Sequence, residues 1–278
     1  MAIPLATKFA PYTDEQFKNE SKLSLVTNKE FDWTGAHTVK VYKVTTATMN
    51  DYGRTGPDTG NWSRYGSISD LGASTEEFTL SKDRSFIFNV DKLDTDETTQ
   101  QVQAASALAR QNREVIIPEI DSYVYGVMAT GAGTKATAKA LTATDIYNDI
   151  LDASKALDDA ELPETGRVLI VPPATYQLMK KCTDIVLDTD IGAEMRTKGV
   201  IGNLDGAAVI KIPANRLPAK FGFMLCHPSA TVAPVKLEDY NIHEDSIYSS
   251  GAVVTGRVCY DAFILDNKKK GIYYQAIT

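Results

Sequence analysis

Residues 94–131 read DTDETTQQVQAASALARQNREVIIPEIDSYVYGVMATG, and their reading decides the fold. Asp94 accepts from the exposed amides of a first helical turn, and Glu97, three residues on, reaches back to complete a capping box. The extra acid there suits the positive end of the helix dipole. Val102, Ala105, Ala109, Ile116, Ile120, Tyr123 and Val127 recur at spacings of three and four, the stripe of an amphipathic helix. Arg110, Arg113 and Glu114 fill the opposite face. Gly131-Ala132-Gly133 supplies the stop. Pro118 lies inside and predicts a kink, because the Glu114 carbonyl loses its amide partner. Such a helix is roughly 50 Å long, against about 30 Å for the diameter of a small domain. An ordinary helix split by Pro118 and a strut packed against copies of itself both fit. The flanking sequence separates them.

The chain has 278 residues, enough for one large domain or two modest ones. Its 43% hydrophobic and 23% charged residues are those of a globular protein. A net charge of −7 with no balancing basic run argues against a dedicated nucleic-acid or anionic-membrane binder. Cys182, Cys226 and Cys259 are odd in number and widely spaced, and read as reduced core thiols. Met1-Ala2-Ile3-Pro4-Leu5 lacks the basic start and long apolar run of a secretory leader. No run is long enough to span a bilayer.

Residues 1–36 are broken by Pro4, Pro11 and Gly35, yet Ile3, Leu5, Phe9, Tyr12, Phe17, Leu23, Leu25, Phe31 and Trp33 are too apolar for a solvated tail. They predict an arm that docks on something. His37 to Thr48 reads as one strand and Glu77 to Val90 as a second. The long glycine-rich stretch between them carries Tyr52, Trp62 and Tyr65, rings that a hairpin tip cannot bury against itself. It predicts a hairpin reaching onto another subunit. After the long helix, Thr144-Asp145-Ile146 opens a helix to about Ala160. Arg167-Val168-Leu169-Ile170-Val171 predicts a strand buried on both faces, and Ala207–Ile212 and Phe221–Cys226 predict two more. Residues 140–228 thus form a small α/β domain. Ala230–Leu237, Gly251–Leu265 and Ile272–Ile277 are strands again, with Gly251–Leu265 the longest in the chain.

A search for chemistry finds little. His37, His227 and His243 are isolated, with no metal-ligand or triad spacing. Gly126-Val127-Met128-Ala129-Thr130-Gly131 opens like a phosphate loop, but Ala132 stands where lysine is required and the stretch ends a helix instead of starting one. Asp158-Asp159 and Asp188-Thr189-Asp190 read as solvated acids in preference to a cation site. No cofactor and no metal is implied.

The order of elements carries more than any motif: apolar arm, long hairpin, long helix, α/β domain, returning strands. It resembles the major capsid protein of tailed bacteriophages, the Hong Kong ninety-seven type fold, over essentially the whole chain. The most specific pieces are Phe78-Thr79-Leu80-Ser81-Lys82-Asp83-Arg84-Ser85-Phe86 running on through Asn89-Val90-Asp91-Lys92-Leu93-Asp94-Thr95-Asp96-Glu97-Thr98, and Gly166-Arg167-Val168-Leu169-Ile170-Val171-Pro172-Pro173 with Tyr176 and Leu178 after it. The resemblance implies an α+β fold. Residues 1–36 would be the N-terminal arm and 37–90 the extended E-loop hairpin and its base. Residues 91–139 would be the spine helix of the peripheral domain, 140–230 the axial domain, and 231–278 the returning strands of the peripheral domain. It implies a non-enzymatic subunit of an icosahedral capsid, assembling into pentamers and hexamers in the host cytoplasm and enclosing double-stranded DNA held only non-specifically. Portal and scaffolding proteins are implied as partners, and no membrane. The contacts expected between subunits are Phe9, Tyr12 and Phe17 of the arm, Tyr52, Arg54, Trp62, Arg64 and Tyr65 of the hairpin, and Arg110 and Arg113 of the helix. No long charged helical segment precedes the arm, so a fused scaffolding domain is not expected. Covalent cross-linking in this family needs a lysine on the E-loop, and residues 45–78 have none. An encapsulin-type compartment shell and an unrelated cytosolic α/β enzyme are the alternatives.

Overall fold

The computed structural model describes residues 21–28, 38–57, 63–67, 70–92, 104–183, 185, 200–244 and 250–278. The chain divides into two compact units, Trp33–Leu80 and the remainder, Met1–Asp32 with Ser81–Thr278.

The smaller unit is a hairpin of β1 (Thr38–Val44) and β2 (Ala73–Thr79), antiparallel with Val39 opposite Phe78 and Tyr42 opposite Thr75. The strand expected over Glu77 to Val90 is two strands. β2 ends at Thr79, and after Leu80-Ser81 the chain continues as β3 (Lys82–Asp91), which joins a different sheet.

In the larger unit β3 lies antiparallel to β11 (Gly251–Tyr260), with Lys82 opposite Tyr260 and Asp91 opposite Gly251, and β10 (Val235–His243) flanks β11 on its other side. Period-two alternation puts Phe86, Val258 and Tyr260 on one face with Tyr240, and that face packs on Ile116. Gly256 leaves room for the Phe86 ring: a Cβ there would meet the ring at 2.2 Å.

The helix against this sheet comprises α1 (Ala104–Gln111), a π-turn (Asn112–Ile116) and α2 (Ile117–Gly131). Residues 94–103, with the expected capping box, lie outside the described residues. Pro118 does not snap the helix; the ladder widens ahead of it. Ile117 donates to Asn112, five residues back, so the turn that runs into the proline is wound loosely enough to admit a residue without an amide hydrogen. The helix ends at Gly131 as expected. Its apolar face is broader than the single stripe read from the sequence. Ile120 and Tyr123 pack beside the three-stranded sheet, whereas Val124, Tyr125, Met128 and Ala129 are buried against the second sheet. A helix wedged between two sheets needs two apolar faces.

That second sheet has six strands in the order β4 (Thr134–Ala136), β13 (Ile272–Ala276), β8 (Phe221–Cys226), β5 (Val168–Val171), β7 (Ala207–Lys211), β6 (Val200–Leu204). Val168 and Ile170 face one core with α2, while Leu169 and Val171 face another with α3 (Ile146–Asp158) and α4 (Pro173–Lys181). Complete burial of β5 is what its unbroken apolar run predicts, and each such side chain contributes about 1.5–3 kcal/mol. Two expectations change here. The last strand does not return to the three-stranded sheet: β13 pairs with β8 and β4, because Ile272 and Tyr273 are buried on opposite faces, which only an interior strand satisfies. The strand expected over Gly251–Leu265 stops at Tyr260, and Phe263–Ile264 (β12) pairs instead with Thr231–Val232 (β9).

Candidate functional site

Among the described residues the candidate groups do not come together into a reactive centre. Among the described residues no cluster of three or more His, Cys, Asp or Glu could hold a metal ion. His227 turns Nδ1 to the Ser229 hydroxyl at 2.7 Å, and burial holds its pKa below the usual value. Cys226 is fully buried and donates to the Val168 carbonyl; burial pushes its thiol up to about 12, far from a reactive thiolate. Cys182 is buried and Cys259 half-buried, all three unpaired. Gly126–Gly131 lies inside α2 and forms its last turns, so it is helix and not a loop opening one. Among the described residues no helix is long and apolar enough to cross a membrane.

Among the described residues, the hairpin carries six of the eleven exposed large hydrophobic side chains. On β1 and β2, Val39, Val41 and Phe78 share one face, while Lys40, Tyr42, Val44, Ala73, Thr75 and Glu77 share the other. On the second face Tyr42 is 75% exposed and Val44 62%. Beyond the strands Met49 and Leu71 are exposed as well, Met49 completely. Lys40 pairs with Glu77 and Lys43 with Glu76 across the ladder. Thr45 and Gly72 close it with reciprocal hydrogen bonds of 2.9–3.0 Å. The tip beyond is ordered by its own contacts. Gly53 donates to the Arg64 carbonyl at 2.9 Å, and Tyr52 meets Tyr65 edge-on at 5.0 Å. These two rings were expected to have no partner within the loop; they have each other, and both stay largely exposed. Gly66 sits at φ +88°, close against Asn50, where only glycine fits without strain.

The chain leaves the hairpin at Leu80, and Ser81, where it re-enters the larger unit, is held by Asp261. Asp261 Oδ2 accepts from the Ser81 amide at 2.7 Å and hydroxyl at 2.8 Å, while Oδ1 accepts from the Tyr123 hydroxyl at 2.7 Å and the Ala262 amide at 2.8 Å. This buried carboxylate both starts β3 and ends β11.

The part of the expected arm that is described, residues 21–28, is seated on its own chain and not on a neighbour. Val26 is buried, with Leu23 and Leu25 packed on the same core. The Asn28 amide donates to Thr231 at 2.7 Å, the Lys22 ammonium to the Lys211 carbonyl at 3.1 Å, and the Ser21 hydroxyl to Asp121 at 2.6 Å. Asp121 in turn pairs with Arg216.

Of the residues expected at subunit contacts, Arg54 and Arg64 are exposed on the tip with Tyr52 and Tyr65, Arg110 is half-buried on α1, and Arg113 is exposed in the π-turn. Phe9, Tyr12, Phe17 and Trp62 lie outside the described residues. Sequence reasoning passed over Tyr42, Val44 and Met49, though period two in β1 already set Tyr42 apart from Val39 and Val41. It had no signal for Asp261.

A family model described as phage capsid protein matches residues 74–273, from β2 to β13. The fold is similar to a solved structure from Mycobacterium phage Che8, at 21% identity and a TM-score of 0.74 over 98% of this chain and 96% of that one. It is also similar to the capsid structure of the cyanophage P-SCSP1u (15% identity, TM-score 0.74, 98% and 93% covered). The mature capsid of bacteriophage PhiM1 is a third such structure (12% identity, TM-score 0.71, 99% and 92% covered). No curated protein sequence matches the chain. The fold is the Hong Kong ninety-seven type expected from the order of elements. With the family match spanning most of the chain, the chain belongs to the phage capsid protein family and is a structural subunit of the capsid shell.

Proposed function

We propose that many copies of this chain close into an icosahedral shell of five- and six-membered rings, assembled in the host cytoplasm around or ahead of a double-stranded DNA genome. In this reading residues 37–90 are the E-loop hairpin, residues 1–36 the arm, and residues 91–139 the spine of a peripheral domain. The six-stranded sheet belongs to the axial domain that surrounds the symmetry axes. Portal and scaffolding proteins are its assembly partners, and the chain has no catalytic role.

The observation that carries this is the apolar face of the hairpin. A two-stranded ribbon is marginal in water, and this one presents Tyr42, Val44, Met49 and Leu71 to solvent. Burying one such side chain contributes about 1.5–3 kcal/mol, so a shell that covers them at every interface gains repeatedly from the same surface. The net charge of −7 suits a container whose contents must leave, since a strongly basic lumen would retain DNA. Negative-stain micrographs of the purified protein, alone and with its scaffolding protein, test the reading. Closed isometric shells are expected, and a chain that stays monomeric under both conditions overturns it.

A further inference from the structure

Two cavities adjoin between the long helix and the three-stranded sheet, and they differ in kind. The first, of 400 Å³, is lined by Lys82, Arg84, Glu119, Ser122, Tyr123 and Tyr260. The second, of 140 Å³, shares Arg84, Glu119 and Tyr260 with it and continues along Phe86, Val258, Ile116, Ile120 and Val115. Alternation in β3 sets this gradient, because Lys82, Arg84 and Phe86 follow one another on one face of the strand. The helix adds Ser122 and Glu119 at the polar end, and the π-turn adds Val115 and Ile116 at the apolar one. Val115 is 46% exposed there.

The polar end carries positive charge that the chain itself leaves open. The Lys82 ammonium lies 5.1 Å from the centre of the Tyr123 ring, and among the described residues no carboxylate pairs with it. Arg84 donates through Nε to Glu119 Oε1 at 2.8 Å, and among the described residues its two terminal nitrogens make no hydrogen bond. The carboxylates nearby have donors of their own. Glu119 Oε1 also accepts from the Tyr260 hydroxyl at 3.1 Å, and Asp261 accepts four hydrogen bonds, that of Tyr123 among them. The apolar end is close in size to an engineered cavity of about 150 Å³ that stays dry and takes up benzene.

We infer that this cleft binds a small amphipathic carboxylate, its apolar ring in the 140 Å³ end and its carboxylate between the Lys82 ammonium and the terminal nitrogens of Arg84. Charge complementarity selects the head. With Nε spent on Glu119, the guanidinium presents its terminal pair as a fork that matches two carboxylate oxygens, while an amine would meet two cations. Volume selects the body, since one six-membered ring fills the apolar end. Arg84 and Phe86 are two residues apart on β3, about 7 Å, which a two-carbon linker between ring and carboxylate spans. The site lies wholly within the larger unit of one chain and does not depend on the shell reading.

The test titrates the unassembled full-length chain with four probes, phenylpropanoate, phenylpropanol, phenylpropylamine and acetate, followed by saturation-transfer NMR. The acid should bind about tenfold tighter than the alcohol or the amine, because only it makes charge-assisted bonds to both cations. Acetate, with the head and no body, should not saturate where the acid does. Lys82→Gln should weaken the acid about fivefold or more and leave the alcohol unchanged. Val115→Phe places a ring in the apolar end and should abolish binding of both; Val115→Met replaces it if that variant does not fold by circular dichroism. Absence of acid binding at millimolar concentration overturns the inference. So does equal binding of alcohol, amine or acetate, an acid affinity that ignores Lys82→Gln, or one that ignores the change at Val115.

Discussion

Arg216 Nη1 donates to Asp121 Oδ2 at 2.7 Å, and both side chains are almost completely buried. They are 95 residues apart, on the turn after β7 and on α2, so the pair ties the central helix to the six-stranded sheet. Ser21 adds a second bond to Asp121 from near the start of the sequence. Burial pushes the Asp121 carboxyl above its usual range, with the Ser21 hydroxyl and the Arg216 guanidinium pulling it back. Removing one partner strands the other without water. Asp121→Ala is expected to destabilise the protomer by about 3–5 kcal/mol, while Asp121→Leu with Arg216→Met should come within about 1 kcal/mol of wild type. Denaturant unfolding of unassembled subunits measures both. Equal losses from the single and double changes would contradict this account of the pair.

Asp261→Ala leaves the Ser81 and Ala262 amides and the Tyr123 hydroxyl without their acceptor, and should destabilise by about 3 kcal/mol. Tyr123→Phe removes one of these bonds and should cost about 1 kcal/mol. The amide of Ser81 should exchange with deuterium much faster in Asp261→Ala and little faster in Tyr123→Phe. Unchanged Ser81 exchange in Asp261→Ala would show that the chain is held there by something else.

These two carboxylates show where sequence reading stops. β5 and β8 were legible because a strand buried on both faces must be apolar throughout, as Val168–Val171 and Phe221–Cys226 are. The helix stop at Gly131 and the disturbance ahead of Pro118 follow from backbone chemistry of single residues. The break between β2 and β3 is different. Apolar residues at 78 and 80 resume in the same phase at 86, 88 and 90, which reads as one strand, and the break at Ser81 is held by Asp261, 180 residues away. The placement of β13 in the larger sheet has the same origin. Its apolar run says that it is buried, and only the pairing with β8 and β4 says where. On the hairpin, Tyr52 and Tyr65 drew notice as aromatics, whereas the face carrying Tyr42 follows from register with β2.

Tyr42→Ser should leave protomer stability within about 0.5 kcal/mol, because that side chain is already in water. The same change should sharply reduce shell yield. Melting curves of the subunit and particle counts from one preparation check it; full shell yield would remove the hairpin face from the interface.

Alkaline solution should unfold the protomer. Burial pushes Tyr260 up to about 12, helped by the Glu119 carboxylate that accepts its proton at 3.1 Å, and burial pushes Cys226 up to about 12 and Tyr125 well above its usual value. These folded-state values lie above the unfolded ones of about 8.5 for thiol and 10 for phenol. The stabilisation is therefore complete below about pH 8.5 and is lost as pH climbs toward 12, where the unfolded chain releases protons that the folded one keeps. Tyrosinate absorbance and circular dichroism should change together above about pH 10. Ionisation of all tyrosines near pH 10 with the fold intact would contradict the burial of Tyr125 and Tyr260.

Mature shells should be held without covalent bonds between subunits. The hairpin's lysines, Lys40 and Lys43, are engaged by Glu77 and Glu76, and Arg54 and Arg64 at its tip stay protonated and cannot act as nucleophiles. Particles boiled in detergent and reductant should give one band near 30.3 kDa. A persistent ladder of larger species would reveal a reactive pair.

The central claim is that the hairpin's exposed face is covered by another copy of the chain, and amide hydrogen exchange across residues 38–79 tests it most directly. The same peptides are compared in unassembled subunits and in purified shells. The account predicts that peptides containing Tyr42, Val44 and Met49 exchange readily in the subunit and become strongly protected in the shell, while the already buried β5 changes little. Equal exchange of the hairpin in both states would contradict it.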